Sequence, residues 1–73
     1  MSKLPSLRPK ELAKVLLKLG FASRSGKGSH VIFFRADGKK TSIPMHPKPI
    51  GKGLLVKILR QVDVSRDEVL RNL

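Results

Sequence analysis

Apolar positions along this chain recur first at helical spacing, then in short β-type runs, then at helical spacing again. Leu12, Val15, Leu16 and Leu19 form one stripe, while Lys10, Lys14 and Lys18 share another face of the same stretch. Pro9 suits a first helical turn, where its missing N–H costs nothing. Glu11 complements the positive end of the helix dipole, and Gly20 is a good stop. The spacing predicts a helix over roughly residues 9–19. Phe21 to Ser25 is a short strand candidate, followed by a flexible Gly26-Lys27-Gly28 turn. Ser29 to Arg35 is rich in β-branched and aromatic residues and reads as a strand. Asp37-Gly38 is a two-residue hairpin signal, and Lys40 to His46 returns as a third strand. Pro44 within it argues for an edge position or a strand end. Met45 to Gly51 is a proline-stiffened loop. Leu54, Leu55, Ile58, Leu59 and Val62 make a second helical stripe. Ser65-Arg66-Asp67-Glu68 is a capping-box pattern before Val69, Leu70 and Leu73, which predicts a short final helix.

This order predicts an α+β fold, α-β-β-β-α with a short extra C-terminal helix, as one domain over residues 1–73. The helices should cover one face of a three-stranded antiparallel sheet and leave the other open. A two-residue turn at Asp37-Gly38 would set His30 opposite Met45. Alternation would then put His30, Ile32, Phe34, Ile43 and Met45 on the helix-packed face. Val31, Phe33 and Pro44 would lie on the open face, beside Arg35, Lys40 and His46, as on a partner-binding surface.

Composition adds the partner class. The chain has 73 residues, enough for a thin core. Its formal net charge is +11, and the excess is uneven: residues 1–60 carry +12 and residues 61–73 carry −1. Such a field favours nucleic acid, an anionic membrane surface or an acidic protein. No apolar run is long enough to span or anchor, which argues against a membrane. With no cysteine, a disulfide framework and a thiolate metal site are excluded. The N-terminal Met1-Ser2-Lys3-Leu4-Pro5 lacks the apolar core of a signal peptide, so a cytoplasmic location is the expectation.

Chemistry centres on His30, which closes the glycine-rich basic turn at the start of an apolar strand. Histidine is a general acid or base near neutral pH, and RNA can be cut by acid–base catalysis at its own 2′-OH. Lys27 and the backbone N–H groups of Gly28 and Ser29 are candidates to hold phosphate, with Arg24 and Lys48 as further candidates. The structural reading of His30 is a satisfied core or rim histidine, and the residues alone leave both readings open. His46, before Pro47, reads as a surface loop residue with a lesser claim to RNA contact. Two histidines with no carboxylate nearby make a poor metal site, and no cofactor is implied. The lysine row on the first helix reads as a solvated face, and Lys39-Lys40 as ordinary turn chemistry. Three functions fit: a metal-independent ribonuclease, a non-catalytic RNA-binding module, or an interaction protein whose basic surface docks an acidic partner.

Gly20-Phe21, Lys27-Gly28-Ser29-His30, Asp37-Gly38, Pro44-x-His46 and Lys52-Gly53, in this order, resemble the HicA-type mRNA interferase toxins. The resemblance spans nearly the whole chain. It implies a double-stranded-RNA-binding-domain-like fold and an endoribonuclease that cleaves mRNA, with His30 as the catalytic residue. It also implies an acidic HicB-type antitoxin that covers the active site, and no DNA contact is expected from this chain alone. Family members often carry a Ser or Thr cap before the first helix. Here Arg8 precedes Pro9, a loss of about 1 kcal/mol in the cap.

Overall fold

The computed structural model describes residues 5–73; the N-terminal stretch Met1–Pro5, expected to lack a signal-peptide core, lies outside the described residues except for Pro5. The element order is α1 (Pro9–Lys18), β1 (Ala22–Ser25), β2 (His30–Phe34), β3 (Lys40–Pro44), α2 (Lys52–Val62) and α3 (Arg66–Arg71). The strands form one antiparallel sheet in the order β1-β2-β3. The fold is α+β, as the periodicity predicts. The two apolar stripes bury Leu12, Val15 and Leu16 from α1 and Leu55, Ile58, Leu59 and Val62 from α2 in a single cluster with Phe33 and Ile43.

Local chemistry explains the boundaries. The α1 cap is incomplete, as Arg8 predicts, but Glu11 accepts from the Arg8 N–H at 2.9 Å. The Arg8 guanidinium instead donates to the Pro47 carbonyl at 2.7 Å, tying the start of α1 to the loop before α2. At the other end Gly20 takes φ +91°, with Phe21 N–H donating to Leu16 O and Gly20 N–H to Leu17 O. This is the Schellman arrangement that glycine favours. Ser65 and Glu68 form the expected reciprocal cap on α3, each bond 3.1 Å long.

The β2–β3 register differs from the expected one. His30 pairs with Pro44, not Met45, and Phe34 pairs with Lys40. The turn is one residue longer than Asp37-Gly38 alone suggests. Arg35 N–H donates to Lys39 O, Gly38 N–H donates to Arg35 O, and Gly38 has φ +90°. This is a type I turn closed by a left-handed glycine, the usual three-residue loop. A one-residue change in register moves one strand's side chains to the other face. Val31 and Phe33 therefore point to the helices, with Phe33 only 2% exposed, while His30, Ile32 and Phe34 lie on the open face. Ile43 is buried as expected, and Pro44 and Lys40 lie on the open side as expected.

Arg35 fastens this turn to the helix layer. Its guanidinium donates to Asp37 at 2.8 Å and to Leu19 O at 3.0 Å, and lies 4.4 Å from the centre of the Phe21 ring. The hydrogen bond from Arg35 holds the Asp37 carboxyl below its ordinary range, against a smaller opposing effect of desolvation, and the Lys39 N–H adds to the lowering. A depressed carboxylate pKa contributes stability that is present above the unfolded value of 3.8 and lost as pH falls through the folded value. Asp37→Asn should thus lower the melting temperature at neutral pH, with the difference from wild type vanishing in strong acid. Calorimetric melts of both proteins across pH would check this.

Candidate active site

His30 opens β2, directly after the Gly26–Ser29 turn. His30 N–H donates to Lys27 O at 3.0 Å, and Gly26 N–H donates to His30 O at 2.9 Å. Gly28 sits in the left-handed region at φ +57°, a conformation that a side chain would strain. Gly26 matters for a different reason. A Cβ there would lie 3.2 Å from both the His30 carbonyl oxygen and Ile32 Cγ1, so a larger residue would press on the floor of the site.

The register places Ile32 opposite Ser42 and His30 opposite Pro44, with all four on the open face. Ser42 is thus the diagonal neighbour of His30, and Ser42 Oγ lies 3.1 Å from His30 Nδ1. Both residues are exposed. They line a groove of about 690 Å³ that crosses the open face and turns round the β3 edge to the flank of α2. Lys27, Lys40 and Lys57 line the same groove, and among the described residues no carboxylate does. At its base Thr41 Oγ1 donates to Gln61 Oε1 at 2.7 Å, joining β3 to α2. The arrangement offers a proton-exchanging imidazole inside a cationic recess, where an anionic phosphate is attracted and no acidic side chain repels it.

The sequence-derived candidates divide. His30 and Lys27 meet in this groove. Gly28 and Ser29 form the exposed turn beside it. Arg24 is on the same open face, paired with Ile32 from β1. His46 and Lys48 line a neighbouring groove of about 370 Å³, which shares Pro44 and Leu54 with the first. The sequence does not mark Ser42, Lys57 or Gln61 as site residues, and it offers Lys40 only as turn chemistry and as a flank of the open sheet face. The available signal was the Lys40-x-Ser42-x-Pro44 alternation, which points at the histidine only once the three-residue turn is known. Among the described residues no group of three His, Cys, Asp or Glu side chains is placed to hold a metal ion. Among them, too, no helix is long and apolar enough to cross a membrane.

A small cationic α+β protein with an exposed histidine in an anion-attracting groove is the class these features define. Residues 9–64 match the model of the HicA toxin of bacterial toxin–antitoxin, and the chain belongs to that family. It is a toxin of a toxin–antitoxin system, and membership implies an antitoxin partner. The matched span takes in α1, the whole sheet and α2, and leaves α3 outside. No curated protein matches the chain significantly.

Proposed function

We propose that this toxin is an endoribonuclease that cuts mRNA in the cytoplasm by acid–base catalysis without a metal, with His30 as general acid or base. The observation that carries the reading is the placement of His30, exposed in a groove lined by Lys27, Lys40 and Lys57 and by no carboxylate. In the base role, His30 takes the proton of a ribose 2′-OH, and the 2′-oxygen attacks the adjacent phosphorus. The bond to the 5′-oxygen breaks, and that oxygen leaves with a proton from an acid. Cationic side chains stabilise the charge that builds on the phosphorane. Lys27, Lys40 and Lys57 suit that role, and Arg24, Lys48 and His46 suit contact with the flanking RNA. Half-buried Ile32 and exposed Phe34 give bases an apolar surface on the same face.

The partner in this reading is an acidic HicB-type antitoxin that covers the groove. Its carboxylates would occupy the place of RNA phosphates, which explains why one basic surface serves both. The test is cleavage of a labelled mRNA by the purified chain, with and without EDTA, and with a HicB-type antitoxin added. Cleavage indifferent to EDTA and stopped by the antitoxin is expected. RNA that is bound but left intact would overturn the catalytic reading and leave a binding module.

Binding itself should depend steeply on salt, because each neutralised phosphate releases counterions. Lys57→Ala should weaken RNA binding at every sequence and reduce the slope of log affinity against log salt by roughly 0.7, the single-strand value for one contact. Fluorescence anisotropy titrations at several salt concentrations would measure both.

A further inference from the structure

We infer that Ser42 is the positioning residue of His30, holding Nδ1 in the protonated tautomer so that Nε2 is the nitrogen that exchanges protons with RNA. This rests on the ribonuclease reading above. The Ser42 hydroxyl lies 3.1 Å from Nδ1 across the β2–β3 pair, and both groups face the groove. A ring nitrogen engaged by a protein group cannot also meet substrate, so Nε2 is left for that task. No acidic side chain lines the groove to take the orienting place that carboxylates fill in many histidine sites.

The proton bookkeeping favours one direction for this hydrogen bond. As a base, neutral His30 needs a lone pair on Nε2, so the single ring proton must sit on Nδ1 and be donated to Ser42 Oγ. When Nε2 takes the 2′-OH proton, the imidazolium keeps that same Nδ1–H bond. As an acid, the imidazolium gives up the Nε2 proton and returns to the Nδ1–H form. In every state Ser42 accepts from Nδ1, and its own O–H remains free to turn toward water. The ring therefore never has to reorient during proton transfer. The strand geometry supports this, because β3 places Ser42 two residues before Pro44, the cross-strand partner of His30. Alternation then keeps its hydroxyl on the histidine's side of the sheet.

The test compares wild type with Ser42→Ala and Ser42→Thr. Long-range proton–nitrogen correlation spectra of the neutral imidazoles report the tautomer, with the His30 signals assigned by their loss in His30→Ala. Wild type and Ser42→Thr should show His30 enriched in the Nδ1–H form, and Ser42→Ala should lose that enrichment. Single-turnover cleavage should fall about five- to tenfold in Ser42→Ala, the ratio that one ordinary hydrogen bond is worth. It should recover in Ser42→Thr, with RNA affinity and melting temperature unchanged throughout. An unchanged His30 tautomer in Ser42→Ala would overturn the inference whether or not the chain cuts RNA. Loss of cleavage as complete as in His30→Ala, without rescue by Ser42→Thr, would also overturn it and assign Ser42 a direct chemical role. Failure of wild type to cut RNA would instead overturn the ribonuclease reading, and the spectra remain a separate readout.

Discussion

Replacing His30 by alanine should lower the rate of RNA cleavage by about 10²- to 10⁴-fold, the usual worth of a positioned general acid or base. The fold should not notice. The ring is exposed, its side chain is hydrogen-bonded to Ser42, and the residue's backbone bonds to Gly26 and Lys27 do not involve the imidazole. An exposed substitution of this kind typically changes stability by less than about 0.5 kcal/mol. Affinity for RNA should hold nearly as well, since Lys27, Lys40 and Lys57 remain to neutralise phosphate. Single-turnover cleavage, a thermal melt and an anisotropy titration on the same protein separate these quantities. Cutting at the wild-type rate would remove His30 from the chemistry.

The largest effect on stability should come from a neighbouring pair of phenylalanines with opposite fates. Phe33 is 2% exposed and packs in the cluster between sheet and helices, whereas Phe34 is 38% exposed on the open face. Phe33→Ala should cost about 3–5 kcal/mol through lost burial and the cavity left behind. A chain of this length has a total stability of only about 4–11 kcal/mol, so the variant should be poorly folded near body temperature. Phe34→Ala should cost less than about 1 kcal/mol, because its side chain is already partly in water. Urea denaturation of both variants measures the difference. A larger cost at Phe34 would mean that β2 sits with His30 facing the helices, and the open-face site would then not exist.

That pair also shows what the sequence makes legible. The first two helices are readable because their apolar stripes repeat over ten or more residues, and local signals mark helix ends, Gly20 after α1 and the Ser65–Glu68 box before the six-residue α3. The strands are readable as segments. Which way their side chains face is not, because β2 carries four apolar residues in succession, Val31, Ile32, Phe33 and Phe34. Alternation has no polar residue there to mark the outer face. The choice of face then falls on the length of one turn, and Asp37-Gly38 suits both a two-residue loop and a three-residue loop ending in a left-handed glycine. Reading the shorter loop inverts β2 and hides His30.

The site was legible where one local motif built it. Lys27 and His30 belong to the same turn and strand start, so their meeting in the groove follows from a few residues of chain. Ser42 and Lys57 come from β3 and α2, and their approach to His30 depends on the strand register and on helix packing. No local spacing encodes either. His46 and Lys48 are close to the site in sequence terms, yet the proline-rich loop carries them into the adjoining groove. The missing cap at Arg8 is likewise offset by a long-range contact, the bond to Pro47 O, which no local pattern announces.

Acid–base cleavage at the 2′-OH, as proposed for this toxin, fixes the chemistry of the new RNA ends. A labelled RNA should be cut to leave a 2′,3′-cyclic phosphate and a 5′-hydroxyl, and the same RNA with a 2′-deoxyribose at the cut site should survive. Products ending in a 5′-phosphate, or equal cutting of the deoxy-substituted RNA, would rule out this chemistry and make a water molecule, not the ribose hydroxyl, the attacking group.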